Sequence, residues 1–276
     1  MKLYKAASRA GGWEWQCPSI VNKQRCKTRV SVKKGTFFDK SNLTIFQILA
    51  FAHMWSRSQK LLDSMHELEI GSWHTVCDWA SFCREVCFTY YILHHEKLGG
   101  PGHTVEIDES KFGKRKYHRG HIVEGCGVFG GVERETGRVF MEVVERRDAA
   151  TLIPLLEKWV ERGTTVMSDC WKAYDKMEGF VHMKVNHSLN FVDPETGTHT
   201  NTIESTWRHA KESFSSHGRK KAHVPGNLAR YMFMKSCRAK KIDPTEEFYR
   251  MAGAVHNPTK ESVDVDVDDE DLDLFD

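Results

Sequence analysis

Three carboxylates in this 276-residue sequence stand where chemistry is possible. Asp108 ends the run VEIDES as a β reading would cut it, Asp169 closes TTVMSDC, and Glu204 lies in HTNTIESTWRHAK. Acidic groups drawn together raise one another's pKa, so such a cluster is costly unless something cationic sits among them. A pair of Mg²⁺ (or Mn²⁺) ions removes that cost and suits oxygen donors. Held roughly 3.5–4 Å apart, two such ions activate a water or hydroxyl on one side of a phosphodiester and stabilise the leaving oxygen on the other. Asp108, Asp169 and Glu204 are therefore the expected catalytic and metal-ligating residues.

Each has a plainer reading alone. Asp at a strand end is common in turns. Asn201-Thr-Ile-Glu204 reads as a capping box, with Asn201 closing a helix and Glu204 reaching back to its amide. Asn201, Glu204, Arg208 and Lys211 fall on one helical face that holds no apolar residue among them. Only the joint pattern shifts the balance toward chemistry.

The elements that must position these residues follow from hydrophobic period and turn chemistry. Residues 13–38 read as short basic strands. Cys17 and Cys26 lie there, but a zinc site needs two more ligands, so zinc is not expected and the two Cys read as core-facing. Residues 43–98 read as helical. LTIFQILAFAHMW gives one buried helix and SQKLLDSMHEL a second. SWHTVCDWASFCREVCFTYYIL gives a third, with Trp73, Val76, Cys77, Ala80, Cys83 and Cys87 along one stripe. Helices joined by a short Gly-containing turn resemble a helix-turn-helix. GGPGH at 99–103 breaks the pattern.

Beyond it the chain turns strand-rich. TVEIDES is a β run, and two further runs joined by RETGR form a hairpin. DAATLIPLLEKWVERG is an amphipathic helix that Asp148 or Thr151 can cap, with Pro154 in its first turn. TTVMSDCW and FVHMKVNHS are strands, KAYDKM between them is a short helix, and a helix opens at HTNTIES. Strand, hairpin, helix, strand, strand, helix is the element order of a ribonuclease-H-like α/β domain. PGNLARYMFMKSCRAKK supplies one more helix. The expected parts are a basic β-rich segment at 1–42, a helical region at 43–98, an α/β domain at 103–240, an extension at 241–260 and an acidic tail at 261–276.

Charge is segregated. The last sixteen residues hold nine Asp or Glu and no Lys or Arg, so without them the net charge of +2 becomes +11. The tail is too self-repelling to fold. It reads either as a solubilising segment or as a nucleic-acid mimic that shields the basic body. Lys111, Lys114, Arg115, Lys116 and Arg119, just after Asp108, and Arg219, Lys220 and Lys221 further on are candidate phosphate contacts. KRK and GRKK are also possible nuclear localisation signals. The opening residues show no secretory h-region, and the most apolar run is too short to span a bilayer and contains His53. Eight Cys then read as reduced thiols of the cytosol or nucleus.

VEIDESKFGKRKY, VFGGVERETGRVFMEVVERRDAATLIPLLEKWV, VMSDCWKAYDKM and HTNTIESTWRHAK together resemble the DDE transposases of the Merlin superfamily, eukaryotic elements related to bacterial insertion-sequence transposases. The similarity runs from about 103 to 238, and CKTRVSVKKGTFFDKSNLTIFQILAFAHMW resembles the family's N-terminal region. The resemblance implies a ribonuclease-H-like domain with its triad at Asp108, Asp169 and Glu204. Bacterial relatives use an Asn and a Lys around the third position, and Asn201 and Lys211 occupy those places. That makes Asn201 a rival third ligand, and Lys211 and Arg208 candidate DNA contacts. The family commonly opens with a zinc ribbon of two Cys pairs; this chain keeps at most the second. The implied function is a DNA transposase acting on double-stranded DNA, with a homodimer or larger assembly holding two ends. The alternatives are a domesticated DNA-binding protein that no longer cuts and a structure-specific nuclease of the same fold.

Overall fold

The computed structural model describes residues 1–7, 12–21, 23–113, 125–169, 174, 177–185, 199–214 and 221–257. The chain opens with β1 (Lys2–Lys5), β2 (Trp13–Gln16), β3 (Ile20–Val21), β4 (Gln24–Arg25) and β5 (Arg29–Ser31). Helices α1 (Ile45–Ser56), α2 (Leu61–Glu67) and α3 (Trp73–Leu93) follow. Next come β6 (Leu98–Gly99), β7 (Thr104–Phe112), β8 (Cys126–Glu133), β9 (Val139–Val144), α4 (Ala149–Trp159) and β10 (Val160–Glu161). The remainder is β11 (Thr165–Asp169), β12 (Val181–Val185), α5 (Asn201–Ser213), α6 (Val224–Lys240) and α7 (Pro244–Val255).

Two compact units result. One holds Met1–Val86 and α7; the other holds Cys87–Ile242. In the first, β1, β2 and β5 form an antiparallel sheet, and β3 and β4 a small hairpin. That hairpin sits between Cys17 and Cys26, both free thiols. Hydrogen bonds from Ser19 and Cys26 hold the Cys17 thiol below its ordinary pKa. Both thiols are half-exposed, which corrects the core-facing reading: paired strands this short enclose no interior. Thr44 and Gln47 form a reciprocal capping box that starts α1. Behind it Ile48, Phe51 and Trp55 are buried, and Trp55 packs on Phe248 of α7. On α3, Val76, Ala80, Cys83 and Cys87 are buried as their spacing predicts, but Trp73 at the helix start is exposed.

The second unit is built on a five-stranded sheet in the order β12-β11-β7-β8-β9. β7, β8 and β9 are an antiparallel meander; β11 runs parallel to β7, and β12 parallel to β11. That is the strand order and direction of a ribonuclease-H-like sheet. The RETGR turn joins β8 to β9 as expected, with Gly137 at φ +73°. Alternation along β7 sends Val105 and Ile107 to one face. There they meet Phe129, Phe140, Val144 and the Leu152, Leu156 and Trp159 side of α4 in one core. The other face carries Glu106, Asp108, Ser110 and Phe112 and lies under α5.

Two local expectations change. Asp148 caps α4 through the Thr151 amide at 3.0 Å, so Pro154 lies inside the helix rather than in its first turn. A proline there cannot donate to the carbonyl four residues back. Asp108 does not end its strand, because β7 continues to Phe112 on its antiparallel ladder with β8.

Candidate active site

Asp108 stands mid-strand, opposite Gly130 of β8. On its other side the parallel ladder of β7 with β11 stops at Glu106↔Met167. Two residues further along each strand stand Asp108 and Asp169, at equivalent heights and, by alternation, on the same face. Ladder pairing has ended at that height, so the two acids flank the seam between the strands. Glu204 arrives from α5, on the turn before Trp207, whose Nε1 donates to Asp108 Oδ2 at 3.0 Å.

The electrostatics record the convergence. Burial pushes the Asp108 carboxyl up to about 6; the Glu109 amide and the Trp207 indole pull it down, and the charges of Asp169 and Glu204 push it up again. Charges from a neighbouring strand and from a helix thus both reach Asp108. Glu109, the next residue on β7, faces the α4 side and takes part. Burial first, then Asp108 and Asp169, push it up to about 8, with Arg147 acting against them. Its Oε1 is buried without a hydrogen-bond partner among the described residues.

The start of α5 overturns the capping-box expectation. The helix begins at Asn201 with Thr200 as its N-cap, so Asn201 and Glu204 are the first and fourth helical residues, out of phase for reciprocal capping. The cap comes instead from across the sheet. Glu106, fully buried on β7, accepts the Thr202 and Ile203 amides at 2.9 Å each through Oε2. Its Oε1 accepts Arg134 Nε at 2.5 Å, and Arg134 also donates to the His199 carbonyl at 2.8 Å. Glu204 and Asn201 are both exposed in the first turn of α5.

Lys211 donates to Ser110 Oγ at 2.6 Å and lies 5.3 Å from the centre of the Phe112 ring. Arg208 pairs with Glu212 at 3.0 Å on the exposed side of α5. Lys111 is exposed on β7 and Lys221 is exposed in a short 3₁₀ turn before α6. Lys114, Arg115, Lys116, Arg119, Arg219 and Lys220 lie outside the described residues, as do KAYDKM apart from Tyr174 and Met177, and the acidic tail.

Among the described residues, the His, Cys, Asp and Glu ligand atoms that all lie within 4.8 Å of one another are those of His103, Glu133 and Glu135 at the start of β7; the carboxylates of Asp108, Asp169 and Glu204 stand further apart than that. Glu133 is already satisfied there by the Gly99 amide at 2.9 Å, by Thr136 and by Arg138 at 3.1 Å. These donors hold its carboxyl below the ordinary range despite burial. The cluster is an ion-pair knot that ties the hairpin to the strand before β7. Sequence reasoning missed Glu106, Glu109, Ser110 and Trp207. The signal was the period-two polar series Glu106, Asp108, Ser110, which marks a strand face that buries no hydrocarbon at its first three positions.

Over 76 residues the chain is 33% identical to an uncharacterized transposase-like protein of Haemophilus influenzae; the match covers 27% of this chain and 60% of that one. A chain of the simian T-cell lymphotropic virus intasome in complex with PP2A regulatory subunit B56 gamma is similar at 18% identity. It covers 51% of this chain and 50% of its own length, with a TM-score of 0.35. The catalytic core domain of BIV integrase is similar at 12% identity, over 55% of this chain and 96% of its own, with a TM-score of 0.34. The chain thus spans 60% and 50% of the length of the first two relatives. The model of the ISXO2-like transposase domain matches residues 97–235, half of the sequence and nearly all of the unit that holds the sheet and its carboxylates, so the chain belongs to that transposase family.

Proposed function

We propose that this protein is a metal-dependent DNA transposase of the Merlin group. It hydrolyses a phosphodiester at an element's end and then directs the freed 3′-hydroxyl at target DNA. The observation that carries the reading is that Asp108 and Asp169 stand at equivalent positions where the β7–β11 ladder ends, with the charges of Asp169 and Glu204 both reaching Asp108. The donor set is all carboxylate, which fits hard cations such as Mg²⁺ or Mn²⁺. Such ions, when bound, supply Lewis acidity at the phosphodiester and a more acidic attacking hydroxyl.

The chain's own residues do the rest. Asp108 and Asp169 would hold the cations from the sheet, and Glu204 would complete the set from α5. Glu204 serves better than Asn201 as third ligand because a carboxylate offsets cationic charge and an amide does not. Lys211, tethered to Ser110, sets a fixed positive charge one strand step from Asp108, where negative charge develops on the phosphate. Exposed Lys111 and Lys221, together with Lys114, Arg115, Lys116, Arg119, Arg208, Arg219 and Lys220, take the DNA backbone. Residues 1–98 contribute end recognition, a homodimer brings two ends together, and the site of action is the nucleus.

The test is to select the preferred duplex by binding and then to assay cleavage and joining with Mg²⁺. Asp108→Ala, Asp169→Ala and Glu204→Ala should each lower cleavage by about 10³-fold or more while duplex affinity stays within a few fold. Asn201→Ala should cost far less. Cleavage by Asp169→Ala at the wild-type rate would end the metal reading. Nicks without joined products would make the protein a structure-specific nuclease, and binding without cleavage a domesticated DNA-binding protein.

A further inference from the structure

Trp207 is 4% exposed on the inner face of α5, and as a core residue it would need only its hydrocarbon. Its surroundings are not those of a simple core ring. The indole N–H donates to Asp108 Oδ2 at 3.0 Å, and the ring leans edge-on against Phe112 with centroids 6.0 Å apart. Beneath it the sheet gives up a side chain. Gly130 is the ladder partner of Asp108, and a Cβ there would lie 2.6 Å from Trp207 Cη2 and 2.8 Å from the Phe140 carbonyl oxygen. The missing side chain is what lets the indole lie flat enough to bring Nε1 to the carboxylate. A buried indole N–H has to find an acceptor, and this one takes the carboxylate nearest the seam.

We infer that Trp207 is a positioning residue for Asp108: its N–H engages Oδ2 and, together with the Glu109 amide, fixes the rotation in which the carboxylate would meet a cation. The inference rests on the reading of Asp108 as a metal ligand given above. Groups that orient metal ligands in this way are worth tenfold to a hundredfold in metal affinity.

The experiment is Mn²⁺ binding to the full-length protein, followed by the electron paramagnetic resonance of the free ion, for wild type, Trp207→Phe and Asp108→Ala. Trp207→Phe keeps a buried ring and removes the N–H. It is expected to weaken Mn²⁺ binding about tenfold with an unchanged circular dichroism spectrum. In the cleavage assay the Mg²⁺ half-saturation point should rise by a similar factor, and saturating Mg²⁺ should restore most of the rate. A purely structural role would instead lower the rate at every Mg²⁺ concentration. Wild-type Mn²⁺ affinity in a folded Trp207→Phe protein would overturn the inference.

Should that variant fail to fold, ¹⁵N-indole resonances of the wild type and of Asp108→Asn decide the matter. One indole N–H is expected to shift both with the substitution and on adding Mg²⁺, and no response to either overturns the inference. Unaltered Mn²⁺ binding by Asp108→Ala would sink the metal reading itself. Loss in Asp108→Ala with retention in Trp207→Phe would sink only the positioning role.

Discussion

Asp108 and Glu109 are neighbours on one strand, yet they face opposite sides of the sheet, and burial acts on both. Glu109 has the larger shift, to about 8, and a buried oxygen without a described partner. Its folded-state pKa is above the ordinary glutamate value, so the folded protein binds the proton more tightly than the unfolded chain. This contribution to stability is fully present below about pH 4.5 and is lost as pH rises through about 8. Without divalent metal, Glu109→Gln should therefore raise the melting temperature at pH 9. The gain should shrink steadily toward pH 5, as measured by calorimetry across the range. A variant less stable than wild type at pH 9 would show that ionised Glu109 has a compensating partner. Asp169 and Glu204 were legible in the sequence because each sits near an element boundary that period and turn chemistry can mark; Asp108 was read as a strand end, although β7 runs on to Phe112. The sequence hid Glu109 and Trp207, whose roles depend on which face of a strand or helix is covered and by what.

At the scale of elements, α5 is keyed to β7 at three points. Glu106 holds the Thr202 and Ile203 amides, Asp108 holds Trp207, and Ser110 holds Lys211. Two residues of strand advance about 6.6–6.8 Å, and four to five residues of helix advance about 6–7.5 Å, so the rungs stay in step. The first rung matters most for stability, because Glu106 is fully buried and satisfies both the helix start and Arg134. Glu106→Ala would orphan those amides and a guanidinium together, at a cost of about 3–5 kcal/mol. Its denaturation midpoint should fall accordingly, and a change below about 1 kcal/mol would place the anchor of α5 elsewhere. The strands, the β8–β9 hairpin and α4 were legible in the sequence because their apolar periods are strong. The cap of α5 was not: Asn201 and Glu204 have the spacing of a local box, but the acceptor that wins lies 96 residues away in the chain. Only the packed sheet brings it there.

At the scale of the whole molecule, the family match and the structure point to the same place. The residues matched to the ISXO2-like transposase domain span β7, β11 and α5, which carry the three carboxylates. Among the described residues no helix is long and apolar enough to cross a membrane. With the acidic tail set aside, the body's charge of +11 suits a polyanionic partner. The account turns on whether divalent cations settle between Asp108, Asp169 and Glu204. The most direct measurement is an anomalous difference map from crystals of the full chain grown with Mn²⁺. It should show manganese bounded by those three side chains, as two peaks about 3.5–4 Å apart when both positions fill. Manganese at His103, Glu133 and Glu135 with none at the seam would contradict the account.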